Sequence, residues 1–232
     1  MSIKAVILCG GEGKRLRPLT LEAPKPMLLV QGKPMVEYQI MLLKKHGITD
    51  IIMCSGYKHE KVEKYFGNGS KWGVRIEHSI EKEALGTAGP VKQVESKLKD
   101  TFFVINGDTL TDLNITDMIK FHKTLVTAKG VLGTLYLAPL PSPYGIVDID
   151  SVGLVEAFRE KPLLHQHNIN AGWYLLEPGI LKYMPKKGST EAEVFTMLAK
   201  EGKLAGYVHR GYWRDIGTVK DFEEVQKDRI PV

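Results

Sequence analysis

KAVILCGGEGKRLRPLTLEAPKPM, residues 4–27, joins an apolar run to a glycine-rich turn and then to a series of basic side chains. The apolar run at 4–9 is typical of a buried strand in a parallel sheet. Gly10, Gly11 and Gly13 follow at the carboxyl end of that strand, which is where α/β folds bind their ligands. Glycine lets backbone N–H groups turn toward an anion, and the basic side chains add full positive charges. The stretch therefore predicts a phosphate site in an α/β fold.

Two familiar phosphate-binding motifs do not match this loop. A dinucleotide-binding GxGxxG would need glycine at Leu16, and Pro18 disfavours the helix that this motif requires immediately afterwards. A Walker loop would need glycine at Leu8 and serine or threonine at Arg15. The loop is therefore expected to bind phosphate in neither of these two ways.

The rest of the chain alternates between strand-like and helix-like segments. Helical periodicity predicts one helix over about 34–46 and another over about 114–127, which makes His122 a core-edge residue rather than a ligand. After residue 140 short strands, YGIVDID, LVEAFREKP and INAGWYLL, precede two helical segments. Alternation of this kind predicts βαβ units. The strand-like apolar runs of the first part are 4–9, 50–54, 73–78, 101–106 and 131–137.

Composition is that of an ordinary globular protein, with 232 residues, of which 43% are hydrophobic and 25% are charged. The net charge of +5 suits phosphorylated ligands, whereas no arginine-rich tract with aromatic residues points to nucleic acid. No leader segment or membrane span is recognised, so a cytoplasmic location is expected. Cys9 and Cys54 both end apolar runs and lack CxxC spacing, so we expect reduced core thiols.

The pattern GGxGxRLxPLT followed by PKPM resembles the signature of the sugar-1-phosphate nucleotidyltransferases, and the likeness extends from Met1 to about Phe222. This resemblance implies a Rossmann-like, GT-A type α/β fold with a mixed, mainly parallel sheet flanked by helices. It also implies a single domain over 1–232, in which 1–140 forms a nucleotide-binding half and 141–232 a sugar-binding half. No hexapeptide repeats of a C-terminal β-helix follow, and the sequence leaves a homo-oligomer open.

The reaction that the resemblance implies is attack of a sugar-1-phosphate oxygen on the α-phosphorus of a nucleoside triphosphate, with release of pyrophosphate. Such a reaction requires alignment of two polyanions and neutralisation of their charge. The resemblance assigns Mg²⁺ to Asp108, which follows the run FFVING, and to Asp215 in GYWRDIGT. It assigns the triphosphate and the departing pyrophosphate to Arg15, the reacting phosphates to Lys25, and the sugar phosphate to Lys161 in FREKP.

The resemblance also implies binding residues for each half of the site. Glu160 and Asn170 match residues that hydrogen-bond sugar hydroxyls, although each alone also reads as a surface polar residue. Gly145 and Gly172 match positions where backbone approaches the sugar ring. The nucleotide-binding positions are Leu8, Gly10, Gly11, Gly13, Glu81, Gly86 and Thr87.

Within the family the chain is most similar to the mannose-1-phosphate guanylyltransferases, through EKEALGTAGP at 81–90 and INAGWYLLEP at 169–178. Ala84 is a departure, because those enzymes often have proline there. The carboxylate of Glu81 offers only acceptors, which match the N1–H and exocyclic NH₂ donors of guanine, although Glu81 also reads as one charge of a solvated EKE run. Uridylyl- or thymidylyltransferases acting on glucose-1-phosphate, and heptose-1-phosphate guanylyltransferases, are alternatives.

Two readings outside this enzyme class remain. A GT-A glycosyltransferase would bind its metal through a DxD triplet, which Asp148 and Asp150 supply, although DIDSVG also reads as the polar turn of a hairpin. A non-catalytic regulatory paralogue would bind nucleotide sugar without the complete set of reactive-phosphate residues. The presence of that set in this sequence argues against the paralogue.

Overall fold

The fold was obtained as a computed structural model that describes residues 3–231. Its largest feature is a seven-stranded sheet in the order β12-β8-β11-β6-β1-β4-β5, in which only β11 runs antiparallel to its neighbours. The predicted mainly parallel α/β sheet is confirmed. The strands are β1 Lys4–Leu8, β2 Leu29–Val30, β3 Lys33–Pro34, β4 Asp50–Ser55, β5 Arg75–Ile80, β6 Phe102–Asn106, β7 Thr109–Thr111, β8 Gly133–Pro141, β9 Ile146–Ile149, β10 Val155–Arg159, β11 Leu163–Leu176, β12 Leu204–Val208 and β13 Trp213–Asp215.

Helices flank the sheet. The two helices predicted by periodicity are present, and the longer one begins after Asn114, whose side chain accepts a hydrogen bond from the Asp117 N–H, and ends before Gly130 in a left-handed conformation. The opening loop, as expected, contains only short 3₁₀ turns before the first α-helix. The α-helices are α1 Met35–Lys45, α2 His59–Phe66, α3 Gly89–Gln93, α4 Ile115–Lys129, α5 Thr196–Lys200 and α6 Val219–Val225.

The five predicted strand runs are β1, β4, β5, β6 and β8, and the three later ones are β9, β10 and the longer β11. The short strands β2, β3, β7, β12 and β13 were not predicted. Strands of two to five residues carry little periodic signal, because they contain too few side chains to show a repeat.

The core fills both faces of the sheet. In β1, Ala5 and Ile7 pack on the side of α1 and α4, while Val6 packs on the side of α3 and α5. This arrangement explains why the central strands read as continuous apolar runs rather than as alternating ones. Cys9 and Cys54 are free and fully buried, and burial raises the pKa of both thiols, as expected for reduced core residues.

Three two-stranded ribbons accompany this sheet in the part of the chain that the structure describes. Strand β7 pairs antiparallel with β13, β9 with β10, and β2 with β3. In the second ribbon the Asp150 carboxylate accepts hydrogen bonds from the backbone N–H groups of Val152 and Leu154, at 2.9 and 2.8 Å, and Asp148 forms an ion pair with Arg159. The VDIDS segment is therefore part of the β9–β10 hairpin, with Asp148 on β9 and Asp150 in the turn, and each aspartate has its partners within the hairpin. Every helix within 3–231 falls short of the length and apolar character that a membrane span requires.

Candidate active site

A cleft of about 620 Å³ opens at the carboxyl ends of β1 and β6. The glycine-rich loop forms one wall, and the segment between β5 and α3 forms another. All the residues predicted to bind nucleotide line this cleft, and so do three of those predicted to be catalytic. The first group is Leu8, Gly10, Gly11, Gly13, Glu81, Gly86 and Thr87, and the second is Arg15, Lys25 and Asp108.

The glycine-rich loop is tightly folded over the base of the cleft. Gly13 has a φ of +61°, and its carbonyl oxygen accepts a hydrogen bond from the Thr20 hydroxyl at 3.0 Å. A β-carbon at Gly13 would lie 3.0 Å from side-chain carbons of both Lys25 and Thr20. The turn therefore requires glycine for its conformation and for close contact with the segment that carries Lys25.

Lys25 lies between the two aspartates that sequence analysis paired. Its Nζ is 2.6 Å from Asp108 Oδ2 and 3.8 Å from Asp215 Oδ1, and the lysine is only 9% exposed. Asp108 lies in the turn between β6 and β7, and Asp215 pairs with Thr109 across the β7–β13 ribbon. The unpredicted ribbon therefore brings together two carboxylates that are 107 positions apart in the chain (215 − 108).

Opposing charges surround Asp215. Protein atoms crowd its carboxyl group and, together with the negative charge of Asp108, raise its pKa, while Lys25 and Arg15 act in the opposite direction. A β-carbon on the neighbouring Gly217 would lie 3.3 Å from Asp215 Oδ2 and 3.6 Å from Arg15 Nη1, so the guanidinium is close to this carboxylate. Two acidic side chains, Asp108 and Asp215, therefore lie together with two basic ones, Lys25 and Arg15, beside the glycine-rich loop.

The two carboxylates fit a hard divalent cation. Mg²⁺ is usually held by one or two carboxylates and keeps water and substrate phosphate oxygens as its other ligands. Asp108 and Asp215 already face one cation, the Lys25 ammonium, so their oxygens converge. Within residues 3–231 no group of three or more His, Cys, Asp or Glu side chains forms a metal cluster, so the protein would supply these two ligands.

Glu81 follows directly after β5 and lies against the glycine loop. A side chain at Gly10 would overlap the Glu81 carboxylate, so glycine at that position leaves room for the acid. Burial raises the pKa of Glu81, while a hydrogen bond of 3.4 Å from the Leu85 N–H lowers it. Glu81 is therefore a half-buried acid in the cleft wall, and its predicted alternative as a freely solvated charge is wrong.

The residues predicted for the sugar half are not among those that line this cleft. Lys161, at a φ of +44°, has its Nζ 3.6 Å from Glu160 Oε1, and both side chains are more than half exposed. A β-carbon at Gly145 would lie 3.1 Å from Glu160 Oε2, so these residues form one group at the base of the β9–β10 hairpin.

Asn170 and Gly172 lie on β11, next to the cleft residue Asn106. Gly172 has a φ of +79°, and a β-carbon there would lie 3.1 to 3.2 Å from atoms of Asn106 and Thr109. Asn170 Oδ1 accepts a hydrogen bond from the Gly172 N–H at 3.0 Å, and its Nδ2 donates to the Tyr174 hydroxyl at 2.8 Å. Gly172 therefore packs closely against protein atoms of Asn106 and Thr109, and an approach of its backbone to a sugar ring stays a prediction.

Two residues of this region were missed. Asn106 ends β6 and lines the cleft, and its buried Oδ1 has no hydrogen-bond partner among the described residues. Its place at a strand end, two residues before Asp108, was a signal that could have identified it. Glu191 accepts hydrogen bonds from Thr87 and Tyr174, yet in the segment GSTEAEVF it reads as an ordinary charge on a helix surface.

The fold and the site define a class of protein: the chain belongs to the nucleotidyl transferase family, whose model matches residues 4–230. It is 39% identical to mannose-1-phosphate guanyltransferase beta-B of Xenopus laevis and 40% identical to mannose-1-phosphate guanyltransferase of Kluyveromyces lactis. Both matches cover 95% of this chain, which spans 62% and 63% of those relatives.

Solved structures agree with this assignment. HddC from Yersinia pseudotuberculosis superposes with a TM-score of 0.75 and 28% identity, covering 97% of this chain and 98% of that one. The same protein complexed with GMP-PN gives a TM-score of 0.73. The resemblance to the nucleotidyltransferase family and the predicted Rossmann-like fold are thus confirmed.

Proposed function

We propose that this chain transfers a nucleoside monophosphate from a nucleoside triphosphate to a sugar-1-phosphate, giving a nucleotide sugar and pyrophosphate, with GTP and mannose-1-phosphate as the preferred pair. The observation that carries the proposal is the Lys25 ammonium held between Asp108 and Asp215 beside a glycine-rich loop. The similarity to mannose-1-phosphate guanyltransferases over 95% of the chain supports the choice of substrates.

In this reaction a phosphate oxygen of the sugar-1-phosphate forms a bond to the α-phosphorus, and the bond from that phosphorus to the bridging oxygen breaks. Both electrons of the broken bond leave with pyrophosphate. The reaction needs no covalent help from protein, so catalysis rests on alignment and on neutralisation of charge. Backbone N–H groups of the glycine loop would hold the triphosphate, and Arg15 at the cleft mouth would stabilise the departing pyrophosphate.

Lys25 would neutralise the reacting phosphates, and its location in the cleft with little solvent around it supports this role. Lys161 would bind the phosphate of the incoming sugar, and Glu160 and Asn170 would bind sugar hydroxyls. Asp108 and Asp215 would hold Mg²⁺, which when bound supplies positive charge to the phosphates.

Glu81 is the basis for proposing guanine. Guanine presents adjacent N1–H and NH₂ donors, whereas uracil and thymine present one N–H flanked by two carbonyl oxygens that would repel a carboxylate. The position of Glu81 in the cleft wall, partly removed from water, lets such a pairing discriminate between bases.

A panel of nucleoside triphosphates against sugar-1-phosphates, read by pyrophosphate release, tests the proposal. We expect the highest kcat/KM for GTP with mannose-1-phosphate. Preference for UTP or dTTP with glucose-1-phosphate, or for GTP with a heptose-1-phosphate, would identify one of the alternatives named above. Absence of pyrophosphate release with every pair would contradict the proposed activity. The cytoplasmic location and the division into nucleotide and sugar halves stay predictions.

A further inference from the structure

A carboxylate that no step of the proposed reaction uses lies between the two halves of the site. Glu191 belongs to a π-helical turn, Thr190–Phe195, that precedes α5. Turns of this kind often occur at functional sites. Three hydroxyl groups surround this carboxylate: Thr87 Oγ1 lies 2.6 Å and Ser189 Oγ 3.0 Å from Oε2, and Tyr174 Oη lies 3.1 Å from Oε1.

The hydrogen bond from Thr87 connects Glu191 to the wall of the cleft. Thr87 lines the cleft, and its hydroxyl also accepts a hydrogen bond from the Thr190 N–H at 2.9 Å. Backbone hydrogen bonds fix the same contact, because the Gly188 N–H donates to the Leu85 carbonyl at 3.0 Å and the Ala88 N–H donates to the Gly188 carbonyl at 3.1 Å. The turn that carries Glu191 therefore supports the wall of the cleft next to Thr87.

The hydrogen bond from Tyr174 connects Glu191 to Asn170, which is proposed to bind the sugar. The hydroxyl of Tyr174, which is fully buried, accepts a hydrogen bond from Asn170 Nδ2 at 2.8 Å while it donates to Glu191. Asn170 in turn has its Oδ1 fixed by the Gly172 N–H. The chain of hydrogen bonds therefore runs from Thr87 through Glu191 and Tyr174 to Asn170.

The Glu191 carboxylate determines the direction of the hydrogen bonds that it makes itself. It has no proton to offer, so the hydroxyls of Thr87 and Tyr174 must both donate to it. Tyr174 then accepts from Asn170 Nδ2, so the Glu191 carboxylate and the Gly172 N–H, which donates to Asn170 Oδ1, favour the same orientation of the amide. A glutamine at position 191 would offer an NH₂ donor in place of one carboxylate oxygen. The hydroxyl of Thr87 or of Tyr174 that faces this NH₂ could then no longer donate to residue 191.

From this we infer that Glu191 is a positioning residue that orients Thr87 toward the nucleotide and Asn170 toward the sugar at the same time. The identity of the two ligands rests on the proposed function. The hydrogen-bond chain itself rests on the distances alone.

Equilibrium binding of GDP and of GDP-mannose, measured by calorimetry on the full chain, tests the inference without turnover. The dissociation constant for GDP reports on the nucleotide side, and the ratio of the GDP constant to the GDP-mannose constant reports on the sugar side. We expect Glu191→Gln to raise the GDP constant and to lower the ratio, each by about tenfold, the effect of one disturbed hydrogen bond. The matched control is Glu193→Gln in the same turn, whose carboxylate accepts a hydrogen bond from the Ser189 N–H and from no other group within residues 3–231. It should change neither quantity.

Non-additivity separates positioning from a general structural effect. In a Thr87→Val background, Glu191→Gln should have no further effect on the GDP constant, and in an Asn170→Ala background it should have no further effect on the ratio. Tyr174→Phe, which removes the hydroxyl that joins Glu191 to Asn170, should lower the ratio and leave the GDP constant unchanged. It also provides the test if Glu191→Gln does not fold.

Additive effects in both backgrounds, or a wild type that binds GDP-mannose no more tightly than GDP, would overturn the inference. Pyrophosphate release from GTP and mannose-1-phosphate is recorded on the same wild-type preparation. Its absence contradicts the proposed function whatever the binding cycle shows, whereas turnover combined with an additive cycle contradicts the inference alone.

Discussion

At the scale of single residues, the site depends on charges that are held close together. Lys25 is almost fully buried and contacts both Asp108 and Asp215, so these two carboxylates compensate most of its charge, while Arg15 also acts on Asp215. Removing one partner leaves the remaining charges unbalanced, which is costly where solvent is scarce.

Replacing Asp108 or Asp215 with alanine tests the assignment of the metal. We expect each variant to lose at least about a hundredfold in kcat, because Mg²⁺ held by these carboxylates would stabilise negative charge on the phosphates. Rates are measured by pyrophosphate release over a range of Mg²⁺ concentrations, with thermal unfolding as a check on the fold. Asp148→Ala, which breaks an ion pair on the hairpin, is the control and should remain active. Near-normal rates at low Mg²⁺ in both variants would refute the assignment.

Replacing Glu81 with glutamine tests the choice of base. Glutamine can donate to a pyrimidine carbonyl and accept from its N–H, so kcat/KM for GTP should fall relative to UTP and dTTP by an amount equivalent to about 1–3 kcal/mol. Glu83→Gln, which changes an exposed acid paired with Lys187, is the matched control. An unchanged nucleotide preference in Glu81→Gln would show that this residue does not recognise the base.

At the scale of secondary-structure elements, α4 packs on the sheet through a polar contact in an otherwise apolar layer. His122 is fully buried, with Nδ1 2.8 Å from the Thr134 hydroxyl on β8 and Nε2 3.0 Å from Glu177 Oε1 just after β11. Burial lowers the pKa of His122 below the usual 6.5, although Glu177 acts in the opposite direction. The histidine is therefore a core residue, as predicted, and it is favoured in its neutral form.

This pKa shift predicts that stability depends on pH. Because the folded pKa is depressed, the unfolded chain binds the proton first, so the stabilisation is complete above about pH 6.5 and declines as the pH falls below it. Between pH 7.5 and 5.5 we expect His122 to account for a loss of at most about 1.4 kcal/mol. Urea unfolding of the wild type and of His122→Gln at both pH values measures this change in the free energy of unfolding. His165→Gln, which replaces an exposed histidine, is the control. An equal pH dependence in all three proteins would contradict this expectation.

A second prediction at this scale concerns the contact between Gly86 and Gly188. Gly86 has a φ of +77°, and a β-carbon there would overlap the Gly188 carbonyl oxygen. Gly130, at the end of α4, has a similar φ of +65° but no atom within 4 Å of the same position, which makes it a matched control. Both alanine variants carry backbone strain of about 1–3 kcal/mol. Gly86→Ala should lose about a further 1–3 kcal/mol through the overlap, measured as the free energy of unfolding. Equal losses of unfolding free energy in Gly86→Ala and Gly130→Ala would show that the backbone around Gly188 moves away from the added methyl group at little cost.

At the scale of the whole molecule, the cations proposed for the two substrates come from distant parts of the chain. Arg15 lies in the glycine-rich loop beside Asp215, whereas Lys161 lies at the base of the β9–β10 hairpin. Arg15→Ala should chiefly raise KM for the triphosphate, and Lys161→Ala should chiefly raise KM for the sugar-1-phosphate, each by about ten- to a hundredfold for a charge-assisted hydrogen bond. Steady-state kinetics with each substrate varied in turn distinguishes the two. If both variants weakened use of the same substrate only, the proposed division of the site would be wrong.

Local sequence determined much of this protein. The apolar run of β1, the glycine loop and the period of α1 and α4 each follow from residues that are close in the chain, because burial on both faces of a sheet and along one face of a helix leaves a readable pattern. The order of the motifs along the chain also identified Lys25, Asp108 and Asp215 as candidates for one site.

Only the tertiary structure decided how these residues meet. The β7–β13 ribbon, too short to leave a periodic signal, brings Asp215 to Asp108, and the carbonyl of Gly188 explains why position 86 has no side chain. Glu191 gains two of its three hydroxyl partners only when the turn before α5 packs against Thr87 and Tyr174. Hydrogen bonds between residues that are far apart in the chain depend on packing, and no local pattern of residue types records them.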